Sequence, residues 1–291
     1  MGIAMAFGMA ITWAINGAVL RMMPDDLDPF WVNLWRAVIG LALYFPILLL
    51  TGSLAQLHLL TRRQLLLLGA SVLVAGVAGD ACYLASLRRL GLSRAFPIVN
   101  SYPLFAILLG VILGSETFRW STLLGACLVV VGLSVVMRQR EANDEAKAES
   151  AGSIQGVGLA VLTAALYGLE GVLIAAADAQ VNGMLANAVR APLVIVCGAG
   201  IILARGNGAH LRDLGRRGWL ALVASAALGW VLAGSMWVGA VGLLGAAVTS
   251  TIGASSPLFA VLMGVLFLRE RPGWSVVWGT LLSVVGIILV L

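Results

Sequence analysis

Ser101-Tyr102-Pro103-Leu104-Phe105-Ala106-Ile107-Leu108-Leu109-Gly110-Val111 and Ser255-Ser256-Pro257-Leu258-Phe259-Ala260-Val261-Leu262-Met263-Gly264-Val265 are one stretch written twice. The second copy follows the first by 154 positions. The same shift pairs Glu116 with Glu270, Trp120 with Trp274, Gly125 with Gly279 and Gly132 with Gly286. Without a gap it also pairs Gly17 with Gly171, Asn33 with Asn187, Arg36 with Arg190, and Arg62-Arg63 with Arg216-Arg217. A single offset kept over nearly half a chain marks a tandem duplication. The expected division is a first repeat over 1–137, a polar linker over 138–153 and a second repeat over 154–291.

Hydrophobic residues make up 61% of the 291 and charged residues 11%, where a soluble globule carries about a quarter charged. Apolar runs of about 20 residues recur along the chain, long enough to cross a hydrocarbon core of about 30 Å as helices. Backbone groups find no water in lipid, which leaves helices or closed barrels. The runs are too long and too continuously apolar for barrel strands of about ten alternating residues. The predicted fold is therefore an all-α polytopic membrane protein with ten transmembrane helices. The spans read as roughly 2–20, 30–50, 64–87, 95–114, 120–137, 155–176, 184–204, 218–240, 247–268 and 274–291. Five spans per repeat is odd, so the second copy enters the membrane from the opposite side. The result is a pair of inverted five-helix repeats, an architecture that secondary transporters use with the solute site near the midplane.

Basic residues do not point to nucleic acid, because most lie in short loops where they orient a membrane protein. Sorted by loop parity, Arg21, Arg88, Arg89, Arg94, Arg138, Arg140, Lys147, Arg205, Arg212, Arg216, Arg217, Arg269 and Arg271 fall on one side, and Arg62, Arg63 and Arg119 on the other. That count places both termini outside. Cys82, Cys127 and Cys197 lie within apolar runs without CxxC spacing and read as small buried hydrophobes, and His58 and His210 have no ligand-like neighbours. No metal or other cofactor is expected. Gly110 and Gly114 form a GxxxG, and Gly125/Gly132 and Gly279/Gly286 recur at a seven-residue interval. Such spacings bring helix backbones together in lipid, within one chain or across a homodimer; monomer and homodimer both remain open.

Pro103-Leu104-Phe105, Gly110, Glu116 and Gly125/Gly132, repeated in the second half, resemble the EamA-type transporters of the drug/metabolite transporter superfamily. Trp13 in the first span and Arg36 early in the second fit as well. The likeness covers both repeats. It implies a multi-pass protein of the plasma membrane that moves a small organic metabolite or drug-like solute, as an exporter, by alternating access. It also implies cytoplasmic termini, against the arginine count, and basic terminal tails that this sequence lacks, so that a longer native N-terminus is expected.

Candidate residues follow from the duplication. Arg36 and Arg190, kept in both copies and four to six residues into their spans, read as scaffold anchors within reach of the headgroups, with solute contact as the alternative. Glu116 and Glu270 lie at span ends beside Arg119, Arg269 and Arg271, which suggests loop ion pairs. Asp80 and Glu170 are the acids well inside apolar runs; Gly234 stands opposite Asp80 in the alignment and Asn16 opposite Glu170. A charge at that depth costs at least about 2.5 kcal/mol and must find a partner, a wet cavity or a proton. Either acid can carry a coupling proton, and a salt bridge to Arg88 or Arg89 is the plainer reading of Asp80. Asp80 and Asn16 are expected toward one membrane face and Glu170 toward the other.

Pro103 and Pro257 fall about ten residues into their spans, near half depth, where a proline removes a backbone hydrogen bond and bends the helix. They are the candidate hinges, with Asn100, Tyr102 and Ser255 beside them as solute contacts. Tyr83, Trp230 and Trp237 lie away from the interfacial belts and could wall a solute site or pack against helices. The solute-binding set is thus Asn16, Asp80, Tyr83, Asn100, Tyr102, Glu170, Trp237 and Ser255. Competing readings are a lipid-linked sugar flippase or nucleotide-sugar-type carrier of the same superfamily, a structural membrane subunit, or an intramembrane enzyme. The last is disfavoured: Gly79-Asp80 shares two residues with a GxGD protease motif, but Val77 stands where glycine is needed, and no HExxH, GxSxG or phosphate-loop motif occurs.

Overall fold

The computed structural model describes residues 1–20, 22–23, 27–143, 154–177, 182–205, 214–268 and 274–291, with side chains at 92–93, 137–143 and 263–268 left aside. Glu270, Arg269, Arg271 and most of the polar linker therefore lie outside the described residues. Ten apolar helices follow in order. They are α1 (Gly2–Leu20), α2 (Pro29–Leu50), α3 (Arg62–Gly91), α4 (Arg94–Ile112), α5 (Trp120–Asn143), α6 (Ile154–Ala177), α7 (Gly183–Arg205), α8 (Gly215–Leu244), α9 (Ala246–Leu268, broken at Ser255) and α10 (Trp274–Val290). Seven are long and apolar enough to cross a membrane, and the apolar parts of α5, α9 and α10 are shorter. The fold is the expected polytopic helical bundle.

Local sequence explains where helices begin. Asp28 caps α2 by accepting from the Phe30 amide at 2.8 Å, with Pro29 in the first turn, where its missing N–H costs nothing. Thr61 and Gln64 form a reciprocal capping box at the start of α3. Gly91 and Gly245, which the duplication pairs, both turn the chain at positive φ (71° and 84°) and let α3 run into α4, and α8 into α9, with almost no loop. A residue with a Cβ would be strained at either turn.

The two repeats run in opposite senses, and α5 and α10 display this directly. They are the fifth helix of each repeat, yet Gly125 lies on Gly286 and Gly132 on Gly279, with no room for a Cβ between backbones. Partners that the alignment would place in register are instead crossed, so the helices are antiparallel. The Ser283 hydroxyl donates to the Val129 carbonyl at 3.5 Å, and these two positions are repeat counterparts. A two-fold axis between the repeats therefore passes beside them. α2 and α7 also pack antiparallel, Tyr44 meeting Asn187 and Leu34 meeting Gly198. The expected use of Gly125/Gly132 and Gly279/Gly286 as an intramolecular seam holds. Gly110 and Gly114 do not form a second one: Gly114 ends α4 at φ 69° with nothing around its Cβ position, and Gly110 faces Glu116.

Two helices widen at matched positions. α3 carries a π-helical segment at Leu73–Gly79 and α8 one at Ala226–Ala233. Such segments leave carbonyls without their usual i+4 donors. In α8 the freed Trp230 carbonyl accepts from the Tyr44 hydroxyl at 2.7 Å and from the Asn187 amide at 3.0 Å.

Candidate solute-binding cavity

Between the repeats lies a cavity of about 420 Å³, bordered by α1 to α4 and α6 to α9. Its lining is arranged as repeat counterparts: Trp13 with Tyr167, Asn33 with Asn187, Arg36 with Arg190, Gly76 with Trp230, Asp80 with Gly234, Tyr83 with Trp237, and Tyr102 with Ser256. The cavity therefore sits on the two-fold relation itself, at the two π segments. Its aromatic wall includes Trp13 and Trp237, whose rings are 5.8 Å apart.

The polar groups form two unequal halves. In the second repeat, Glu170 pairs with Arg190, which also donates to the Asn187 side-chain oxygen at 2.9 Å. In the first, Asp80 accepts from the Tyr167 hydroxyl at 2.7 Å and from the Asn33 amide at 3.4 Å, while Trp230 donates to the Asn33 oxygen at 3.4 Å. Arg36 lines the cavity, but among the described residues it enters no ion pair, and its buried Nε finds no acceptor. The Trp237 Nε1 is likewise buried without an acceptor.

Of the residues expected to bind solute, Asp80, Tyr83, Asn100, Tyr102, Glu170 and Trp237 line this cavity. Asn16 and Ser255 do not. Asn16 is buried with Arg36 against Gly229, and the Ser255 hydroxyl is turned back onto the Ile252 carbonyl at 2.5 Å, leaving Ser256 to face the space. Asp80 and Glu170 are brought to one cavity rather than held apart, because α3 and α6 pack on each other and both border the space between the repeats. Asp80 has no bridge to Arg88 or Arg89 among the described residues. The reading of Arg36 and Arg190 as headgroup anchors is corrected: both line the central cavity, and Arg190, 4% exposed, has Glu170 and Asn187 in place of water.

Pro103 and Pro257 sit at sharper features than bends. The helix stops at Asn100–Ser101 and again at Ser255, and each proline occupies the first turn of the segment that follows. Broken helices at this depth are sustained because they face a polar cavity. Sequence reasoning passed over Tyr167, and it placed Trp13 and Asn33 without a site role. The signal was available in the offset, since Trp13/Tyr167 and Tyr83/Trp237 are aromatic in both copies.

A second cavity of about 380 Å³ lies farther out along α2 and α3, lined by Asp28, Phe30, Arg88, Arg89 and Arg205 among others. Arg205 is held 3.6 Å from Asp28 and 4.5 Å above the Phe30 ring.

The model of the EamA-like transporter family matches residues 1–138 and again 154–291. The chain belongs to this family. A protein of Archaeoglobus fulgidus named as an uncharacterized transporter is 24% identical over 289 residues, covering 99% of this chain and 97% of its own. A crystal structure titled only as that of a protein superposes with a TM-score of 0.79 at 17% identity, over 99% of this chain and 95% of the other, a likeness of fold. Membership of the EamA-like family and the transporter-named relative point to a membrane-embedded, multi-pass transporter of small solutes.

Proposed function

We propose that the protein is a secondary transporter that carries a small organic solute across the cytoplasmic membrane by alternating access. The observation that carries this reading is an inequality between equivalent helix pairs. α7 and α8 close on each other: a Cβ at Gly183 would lie 2.7 Å from the Gly239 nitrogen. Their counterparts α2 and α3 are less closely packed among the described residues: they meet through side chains such as Asn33 and Asp80, and the second cavity lies between them. The central cavity is thus shut on one side and flanked by a gap on the other. The shut side is that of the N-terminus, since Gly2 packs on Leu243 and Leu244 at the end of α8. Exchange of the two repeat conformations would open α7 from α8 and close α2 onto α3.

The test is flux in proteoliposomes across a panel of radiolabelled metabolites. Uptake of at least one solute, reduced by Asp80→Asn, supports the proposal. No flux of any solute, with Asp80→Asn and Glu170→Gln leaving cellular solute tolerance unchanged, would defeat it.

A further inference from the structure

The two arginines of the cavity are repeat counterparts in unequal circumstances. Arg190 has an acid partner: Glu170, about two turns from the end of α6 on the facing helix, lays its carboxylate on the guanidinium and Asn187 accepts from the same group, although its Nε, like that of Arg36, finds no acceptor. The position equivalent to Glu170 in the first repeat is Asn16, equivalent to Gly17 minus one as Glu170 is to Gly171. Asn16 lies with Arg36 against Gly229, where an added Cβ would be 2.9 Å from the Asn16 amide nitrogen. An amide cannot neutralise a guanidinium, and the Asn16 side-chain oxygen itself lacks a donor. Asn33, the counterpart of Asn187, is turned away to Asp80 and Trp230. Asp80 acts on Arg36 only at a distance, its oxygens being taken by Tyr167 and Asn33.

A guanidinium in a low-dielectric site wants a bidentate anionic partner, and a carboxylate matches its planar fork. The second repeat supplies that partner from within the chain; among the described residues the first supplies none, and Arg36 borders about 420 Å³ of cavity with aromatic walls. We propose that the transported solute carries a carboxylate, and that this group sits on Arg36 as the Glu170 carboxylate sits on Arg190. Arg36 is then the residue that selects for the anion, and Asn16 is the substitution that keeps it available. The proposal rests on reading this cavity as the solute site.

Binding is measured without transport, on the purified full chain in lipid nanodiscs, by the fluorescence of Trp13, Trp230 and Trp237 at the cavity. The probes are hexanoate, benzoate and phenylacetate, each against its uncharged primary amide. At least one acid is expected to bind about tenfold or more tightly than its amide, the worth of one charge-assisted contact. Arg36→Gln is expected to remove that preference. Asn16→Glu, which gives the first repeat the acid of the second, is expected to do the same by occupying Arg36 from within. Equal binding of acids and amides, survival of the preference in both variants, or no binding of any of the three acids overturns the proposal. If the variants fail to fold, the comparison of acid with amide on the unaltered protein still decides. Failure of flux in liposomes with acid binding intact would count against transport and leave only the carboxylate site at Arg36 standing.

Discussion

Glu170 and Arg190 are mutually dependent, because each is an ion placed where water cannot replace its partner. Removing one leaves the other buried and unpaired, at a cost of about 3–5 kcal/mol, whereas removing both can be nearly neutral. Glu170→Gln is therefore expected to lower the melting temperature in detergent sharply, and Glu170→Gln combined with Arg190→Met to recover most of the loss. Equal melting of the two variants would show that the pair is not a coupled unit. Gly229 is a second sensitive position. A Cβ there would run into the end of the Arg36 side chain, which can swing aside at small cost to the fold. Gly229→Ala is expected to melt close to the unaltered protein while weakening binding of carboxylate probes, read by tryptophan fluorescence.

At the scale of elements, the seam between α5 and α10 and the Glu116 contact each follow from backbone approach. Gly125, Gly132, Gly279 and Gly286 let carbonyls of one helix touch the α-carbons of the other, and lipid offers no apolar drive to restore the contact once it is wedged apart. Gly132→Val is expected to cost about 1–3 kcal/mol or more, as overpacking does, while Gly158→Val, with open space around its Cβ position, should leave melting unchanged. Among the described residues Glu116 forms no ion pair of the kind expected of it. Its carboxylate accepts from the Ala246 and Ala247 amides and so caps the first turn of α9. Burial raises its pKa above the usual 4.5, outweighing the two backbone donors that lower it. A carboxyl raised on folding contributes stability below its unfolded pKa and loses it as pH rises through the folded value. Melting of the unaltered protein relative to Glu116→Gln, which keeps an acceptor without the charge, is therefore expected to fall as pH increases from about 4.5 upward. A constant difference across that range would remove the linkage.

For the whole molecule, the inverted repeats make one conformation a template for another. Pro29 and Ala85 are the counterparts of Gly183 and Gly239, and both line the gap between α2 and α3. In the exchanged state proposed above they would come into contact. With Cys82, Cys127 and Cys197 replaced, a Pro29→Cys, Ala85→Cys pair is expected to form a disulfide slowly on oxidation, since the bond needs Cβ atoms about 3.5–4.5 Å apart. Flux should stop with the bond and return on reduction. Full flux with complete crosslinking would exclude the rocking motion.

Much of this architecture was legible before any coordinates. Apolar runs define spans because lipid forbids unpaired backbone, and one offset of conserved spacing, read with an odd span number, requires the second repeat to be inverted. Local chemistry also pointed to Pro103 and Pro257 as places where the helix departs from straight, though as bends and not as the breaks found beside them. What one dimension could not supply is which face of each helix turns inward. Asn16 and Ser255 are polar and deep, as are Asp80 and Asn100, yet only the latter pair reaches the cavity. Arg36 and Arg190 looked like membrane anchors from their depth alone. Helix rotation and tilt are decided by packing between segments more than a hundred residues apart, and that packing set two identical arginines in different company, one with an acid and one without.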